Sequence, residues 1–268
     1  NTLGCLQGAL NYAIVPLKYI QTNPCAPVKI GKMPINPRAK AHAEYICPKD
    51  EFDRIMQRFP QEKYFHISLV LPYYTGTRLG ETFGIDLLQD IDFNRHELHI
   101  RQMTKVGKEW YMKPPKYDSY RTLKIGATLE QELKYVIQRQ KINRMKYGGN
   151  YMKTYLLPDG SITQIKADVT VSYQEITPLC VKDNGSLVTP DSFKYCARVI
   201  HMELGNVLFH AHCLRHTHGT ILAENGVNPK TVMERLGHKD IQTTLRTYTF
   251  NTEVMQQTAV DIFEQAVQ

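Results

Sequence analysis

The side chains able to do chemistry fall in four short runs of this 268-residue chain. TGTRLGE sets Arg78 and Glu81 three residues apart, and HCLRHT sets His212 and Arg215 three apart, the spacing that puts two side chains on one face of a helix. LGHKD supplies His238 directly after Gly237, and TTLRTY ends at Tyr248, ten residues further on. Lysines stand between these runs: Lys113 and Lys116 in KPPKYDSYRTLKI, with Lys105 and Lys108 in or near the preceding turn. Two arginines, two histidines, a tyrosine and a lysine are the groups that a phosphoryl transfer uses. Guanidinium groups neutralise the non-bridging oxygens as charge builds, and the other groups supply the nucleophile and move protons.

Each residue by itself has an ordinary reading. Arg78 alone is a surface or ion-paired arginine, and Tyr248 is one of 16 tyrosines. His210, His212, His216 and His218 form a histidine-rich cluster, and the HxxxH of His212 and His216 has zinc-ligand spacing. A metalloprotease needs a glutamate after the first histidine, where this chain has Cys213, so neither a metal nor another cofactor is expected. His216 reads better as a core histidine or one that supports a neighbour. It is the order of the runs, Arg78 and Glu81, then the lysines, then His212 and Arg215, then His238 and Tyr248, that raises the combination above its parts.

In these runs the chain resembles the tyrosine recombinase (phage integrase) family, and within it the integrases of bacterial conjugative transposons. TGTRLGE matches the family's first box, HCLRHT its second, LGHKD its LGH and TTLRTY its tyrosine box. The resemblance covers residues from about 45 to 268. It implies a mainly α fold with a small antiparallel β-sheet and an enzyme that cleaves and rejoins DNA at a specific site through a 3′-phosphotyrosine. It also implies roles. Tyr248 attacks the scissile phosphate, Arg78 and Arg215 hold the phosphate, and His212 takes the tyrosine proton. His238 hydrogen-bonds the phosphate, Glu81 orients the set, and a lysine between strands protonates the leaving oxygen. The family's strand-turn pattern selects Lys116. No metal or nucleotide is implied, because the phosphotyrosine stores the bond energy. The implied partners are duplex DNA and further copies of the chain, dimers on a core site and tetramers in synapsis, with an accessory DNA-bending or excision protein in some systems. The alternatives are a type IB topoisomerase, a non-catalytic DNA-binding relative and a zinc hydrolase. The chain departs from many relatives in having Thr249-Phe250 after the tyrosine and Pro72 just before the first box.

Composition agrees with a polyanionic partner. Lys and Arg number 33 against 26 Asp and Glu, a net charge of +7. No apolar run approaches the roughly 18 residues that cross a bilayer, and the first residues lack the pattern of a signal peptide. A cytoplasmic, nucleoid-associated protein without a membrane partner is expected. Six scattered cysteines without a CxxC pair are expected to be reduced thiols.

The elements that must position these residues follow from periodicity. Residues 1–20 predict one helix, the last of a truncated core-binding domain extending to about residue 25. Residues 26–48, rich in proline and basic residues, predict a linker, and residues 49–268 a catalytic domain. Within it, PKDEFDRIMQRF, YFHISLVLPYY and TRLGETFGIDLL predict helices, with Pro72 bending or ending the second. ELHIRQMTKV, EWYMKPPKY and YRTLKIG predict three strands of one small sheet, turning at Gly107-Lys108 and Asp118-Ser119. LEQELKYVIQRQKINRMKYG predicts a long basic helix whose Arg139, Lys141, Arg144 and Lys146 make either a solvated face or a DNA-backbone contact. Residues 149–190 predict short strands or a hairpin. Helices follow, with breaks at Gly205, Asn225-Gly226 and Gly237 and a start at Asn228-Pro229. Residues 253–268 predict an amphipathic helix whose apolar face needs a groove, on the same protomer or on a neighbouring one.

Overall fold

A computed structural model describes residues 2–28, 45–106, 110–239 and 253–267. The chain divides into two units, residues 1–40 and 41–268.

In the first unit, helix α1 covers Thr2–Ile14. It is shorter than the helix predicted over 1–20. Pro16 explains the difference: proline has no backbone N–H and disfavours the helical conformation in the residue before it. None of its described residues is buried. The chain returns along it through polar contacts, with Asn23 Nδ2 donating to Asn11 Oδ1 at 2.6 Å and Gln7 Nε2 to the Cys25 carbonyl at 3.3 Å.

In the second unit, α2 (Lys49–Arg58) is amphipathic and buries Phe52 and Ile55. Helix α3 (His66–Thr75) carries an almost continuous apolar run and buries eight of its ten residues, so it runs through the core. Pro72 does not end it. The helix continues to Thr75 and stops at Gly76, whose left-handed backbone (φ 68°) needs no Cβ and whose N–H donates to the Pro72 carbonyl at 2.9 Å. Helix α4 (Leu79–Phe83) follows.

The three predicted strand runs fold as two separate sheets. β1 (Ile91–Asp92), β2 (Glu97–Ile100) and β5 (Arg121–Lys124) make an antiparallel sheet in the order β1-β2-β5, with the buried pair Leu98 and Leu123 in register. β3 (Met103–Val106) and β4 (Trp110–Lys113) make a hairpin of their own. ELHIRQMTKV is therefore broken at Arg101-Gln102. The break has a cause in the side chains: Arg101 Nε reaches the buried Asp90 carboxylate at 2.6 Å, and Gln102 Nε2 reaches the Gly84 carbonyl at 3.0 Å. The predicted turn at Gly107-Lys108 lies outside the described residues.

Helix α5 (Ala127–Tyr147) is the long basic helix. Two of its cations are engaged with the following insertion: Arg139 pairs with Asp183, and Arg144 Nη2 lies 3.0 Å from Glu175. That insertion is a three-stranded antiparallel sheet, ordered β7-β6-β8, of β6 (Met152–Leu156), β7 (Ile162–Lys166) and β8 (Gln174–Ile176). Its small core of Met112, Ile162 and Ile176 joins it to the β3-β4 hairpin. Helices α6 (Phe193–Glu203), α7 (Ala211–Glu224), α8 (Pro229–Leu236) and α9 (Glu253–Val267) complete the chain. Asn228 caps α8, accepting from the Lys230 N–H at 2.8 Å ahead of Pro229. The main core gathers Leu69, Leu71, Leu98, Leu129, Leu133, Phe193, Ile200 and Leu214 around α3, so the site-bearing ends of α3, α4, α7 and α8 stand on a packed base. Among the described residues no helix is long and apolar enough to cross a membrane. The fold is mainly helical with small antiparallel sheets.

Candidate active site

Arg78 is the N-cap of α4, and Glu81 is its third residue. Glu81 accepts from the Arg78 backbone N–H at 2.8 Å and from Arg78 Nη1 at 2.8 Å, so the spacing in TGTRLGE is that of a capping box closed by an arginine. The Glu81 side chain is 1% exposed. A lone buried carboxylate would protonate. Burial does push the Glu81 carboxyl up, but hydrogen bonds and charge from Arg121, then from Arg78, outweigh it and hold the group below its ordinary value. Arg121 is the partner that sequence reasoning missed. Its Nη2 lies 2.7 Å from Glu81 Oε2, with its side chain only 7% exposed. An arginine opening a strand in YDSYRTL looks like any solvated strand arginine, and its carboxylate lies forty positions earlier.

The second box enters through α7. Arg215 is 2% exposed, and its Nη1 donates to the Gly76 carbonyl at 2.6 Å, tying HCLRHT to TGTRLGE. Gly76 has no room for a side chain: a Cβ there would sit 2.4 Å from Leu236 Cδ2 and 2.8 Å from His218 Cδ2. The third box enters through the end of α8. Arg78 Nη2 donates to the Gly237 carbonyl at 2.7 Å. Gly237 is left-handed (φ 66°) and passes against Arg121, whose Nη1 would lie 2.8 Å from an added Cβ. His238 follows directly.

These contacts bring His212 and His238 under the influence of the same two cations. Burial first, then His216, Arg215, His210 and Arg78, lower the His212 imidazole to about 3. Burial first, then Arg215, Arg78, His216 and Arg121, lower His238 to about 4. Both rings are therefore neutral at neutral pH, each with one N–H to donate and one lone pair to accept. His216 packs edge-on to His212, with ring centroids 4.8 Å apart. His218 stands behind the site. Its Nδ1 meets the Tyr73 carbonyl at 2.9 Å while Nε2 accepts from Arg235 Nε at 2.9 Å, which fixes the tautomer with the proton on Nδ1.

Lys116 opens the 3-10 turn Lys116–Asp118 after β4, and Lys113 is the last residue of β4. Both are exposed. The Lys116 ammonium lies 4.8 Å from the centroid of the Tyr117 ring, and the turn reaches the arginines through Ser119, whose Oγ accepts from Arg78 Nη1 at 3.3 Å. Hydrogen bonds thus join Arg78 to Glu81 and to the backbone just before His238, and Arg215 to Gly76 two residues before Arg78, while both arginines act electrostatically on His212 and His238 and the Lys116 turn is attached at Ser119. Tyr248 lies outside the described residues. Among the described residues no cluster of three or more His, Cys, Asp or Glu is arranged to hold a metal ion.

Comparison with known proteins gives the same boxes a wider frame. The model of the phage integrase family matches residues 47–254. A XerC-like tyrosine recombinase of Caldanaerobacter subterraneus subsp. tengcongensis is 29% identical over 255 residues, covering 91% of this chain and 60% of that protein. The integrase of Staphylococcus phage L54a is 50% identical over 44 residues, 16% of this chain and 12% of that one. The chain thus spans about 60% of the length of the curated relatives that match most of it. Among solved structures, the Tn1549 transposon integrase in complex with circular intermediate DNA superposes with a TM-score of 0.64 at 18% identity, over 97% of this chain and 77% of that one. A lambda integrase tetramer bound to a Holliday junction superposes with a TM-score of 0.55 at 15% identity, over 91% and 57%. At such identities the likeness is one of fold.

Proposed function

We propose that this chain, which belongs to the phage integrase family, is the cleaving and rejoining part of a site-specific DNA recombinase that excises and integrates a mobile element through a 3′-phosphotyrosine. The observation that carries the reading is the pair of hydrogen bonds from Arg78 to Gly237 and from Arg215 to Gly76, which tie three distant sequence boxes together through their arginines.

In this reading the scissile phosphate docks between Arg78 and Arg215. The two guanidinium groups offset its charge in a site already half-shielded from water, where charge–charge interactions are stronger than in bulk solvent. His238 donates a hydrogen bond to a non-bridging oxygen. The hydroxyl oxygen of Tyr248 forms a bond to phosphorus while the bond to the 5′ oxygen breaks. His212, neutral before DNA binds, accepts the tyrosine proton, and the Lys116 ammonium gives a proton to the departing 5′ oxygen. Glu81, held ionised by Arg121, fixes the orientation of Arg78. The reverse steps, with a new 5′ hydroxyl as nucleophile, rejoin the strand and release Tyr248. The two guanidinium groups do the work that a metal ion does in other phosphoryl transfers.

Duplex DNA is the partner in this reading, with dimers on a core site and tetramers in synapsis. Support comes from the net charge of +7 and from the structural relatives, among which the Tn1549 and lambda integrases are bound to DNA. The bacterial cytoplasm and its nucleoid are where such DNA is met. An accessory DNA-bending or excision protein fits the same role. Strand exchange between two duplexes carrying the element's ends, in excess EDTA, is the test. Recombinant product formed in the chelator supports the reading. Activity that returns only with added magnesium or zinc, or relaxation of plasmid that lacks any end sequence, opposes it.

A further inference from the structure

Resting on the reading of Lys116 as the proton donor, we propose that Ser119 and Arg121 form a latch that positions the Lys116 turn for proton transfer. Lys116 itself is exposed, and a lysine on a free turn would spend little time at the leaving oxygen. The turn after it is not a free one. Tyr117 and Asp118 have φ of 64° and 52°, two consecutive residues in the left-handed region, which aspartate enters readily and a bulky tyrosine rarely does. A conformation of this kind persists where its surroundings over-determine it.

Local hydrogen bonds close the turn: the Asp118 N–H donates to the Pro115 carbonyl at 3.0 Å, and the Tyr120 N–H to the Asp118 carbonyl at 2.8 Å. The attachment to the rest of the protein is at Ser119, three residues beyond Lys116, which is gripped from two sides. Its Oγ accepts from Arg78 Nη1 at 3.3 Å, and its carbonyl accepts from Arg121 Nη1 at 3.2 Å. Arg121 is held in turn. Its Nη1 and Nη2 reach the Glu81 carboxylate at 3.2 Å and 2.7 Å, and its Nε donates to the Arg235 carbonyl at 2.8 Å. The same buried carboxylate therefore orients Arg78 and, through Arg121, the base of the Lys116 turn. The phosphate clamp and the proton donor share one anchor, so the donor keeps its register with the phosphate. The step served is the transfer of one proton from the Lys116 ammonium to the 5′ oxygen as the bond from that oxygen to phosphorus breaks, leaving a neutral amine.

The decisive comparison is single-turnover cleavage by the full chain of duplexes made from the element's ends, with the 5′ bridging atom either oxygen or sulfur. A thiolate departs without a proton, so a defect in proton donation disappears on the sulfur duplex and a defect elsewhere does not. Lys116→Ala is expected to be slowed on the oxygen duplex by about 10²–10⁴-fold and to approach wild type on sulfur. Ser119→Ala and Arg121→Lys are expected to lose a smaller part of that same factor, about tenfold, and to recover on sulfur in the same way. Melting temperature and duplex binding establish that each variant is folded. Should Arg121→Lys not fold, Ser119→Ala, which removes one half-buried hydroxyl, decides. The latch is overturned if Lys116→Ala is rescued while the two latch variants stay equally slow on both duplexes, or if they cleave the oxygen duplex at the wild-type rate. Absence of rescue for Lys116→Ala overturns the reading of Lys116, and the latch with it.

Discussion

Arg78 Nη2 donates to the carbonyl of Gly237 at 2.7 Å, across 159 positions of sequence. The bond needs Gly237 in the left-handed region and close under Arg121, and only glycine meets both conditions. Arg78 and His238, assigned to the phosphate in the proposed mechanism, are thereby joined through one backbone carbonyl.

Gly237→Ala should therefore cost more function than stability alone accounts for. A non-glycine residue at this φ costs about 1–3 kcal/mol, and the added Cβ would meet Arg121 Nη1 at 2.8 Å. Gly226 provides the comparison, being left-handed as well (φ 71°) with nothing within 4 Å of an added Cβ. Both alanine variants should melt earlier, and only Gly237→Ala should lose DNA cleavage at a temperature where both are folded. Equal cleavage by the two variants would show that Gly237 does not position the site.

How far the site could be read from sequence follows from the chemistry of its parts. Arg78, His212, Arg215 and His238 are residue types that phosphoryl transfer requires, and their boxes carry recognisable spacing, so they stood out. Arg121 did not. It is buried by contact with Glu81 on α4, forty positions earlier, and nothing in YDSYRTL separates a buried ion-paired arginine from a solvated one. The helices were legible by periodicity and by end signals such as the start at Asn228-Pro229 and the break at Gly237, whereas the stop at Gly76 was not, because Pro72 reads as the place where that helix bends or ends. The two-sheet arrangement was not, because the break at Arg101-Gln102 arises from side chains reaching Asp90 and Gly84 rather than from any turn residue. The same limit applies to α5, whose Arg139 and Arg144 are paired with the insertion that follows.

The depressed histidines set a dependence on pH. His212 at about 3 and His218 and His238 at about 4 lie below the ordinary 6.5 of an unfolded chain. The unfolded state therefore binds more protons than the native state between pH 6.5 and 4. Stability is full above 6.5 and falls as the pH drops through that window, by up to about 1.4 kcal/mol per pH unit for each such histidine. Denaturant unfolding of the free protein at pH 7 and pH 5 measures this. A phosphodiester between the arginines favours the protonated imidazoles, so duplex binding should take up protons at pH 5–6, seen by calorimetry in buffers of different ionisation enthalpy. Constant stability from pH 7 to 5, together with no proton uptake on binding, would remove the histidines from the phosphate site.

Helix α9 presents Val260, Ile262 and Phe263, each more than half exposed. Apolar residues exposed in this way need a groove, on the same protomer or on a neighbouring one, and truncation tells the two apart. With docking on a neighbour, removal of residues 253–268 should spare binding to a single core site and abolish the synaptic complex, as resolved by native gel and light scattering. Loss of folding in the isolated truncated chain would place the docking groove on the same protomer instead.

The central claim is that Tyr248 carries the DNA through the reaction. A duplex from the element's end, nicked just downstream of the scissile phosphate so that the short fragment carrying the new 5′ hydroxyl diffuses away after cleavage, traps the covalent intermediate. Mass spectrometry of the trapped species should find the nucleotide on the peptide containing Tyr248, attached through its 3′ phosphate. Tyr248→Phe should bind the duplex normally and give no adduct. An adduct that persists in Tyr248→Phe, or one found on another residue or through a 5′ phosphate, would contradict the mechanism.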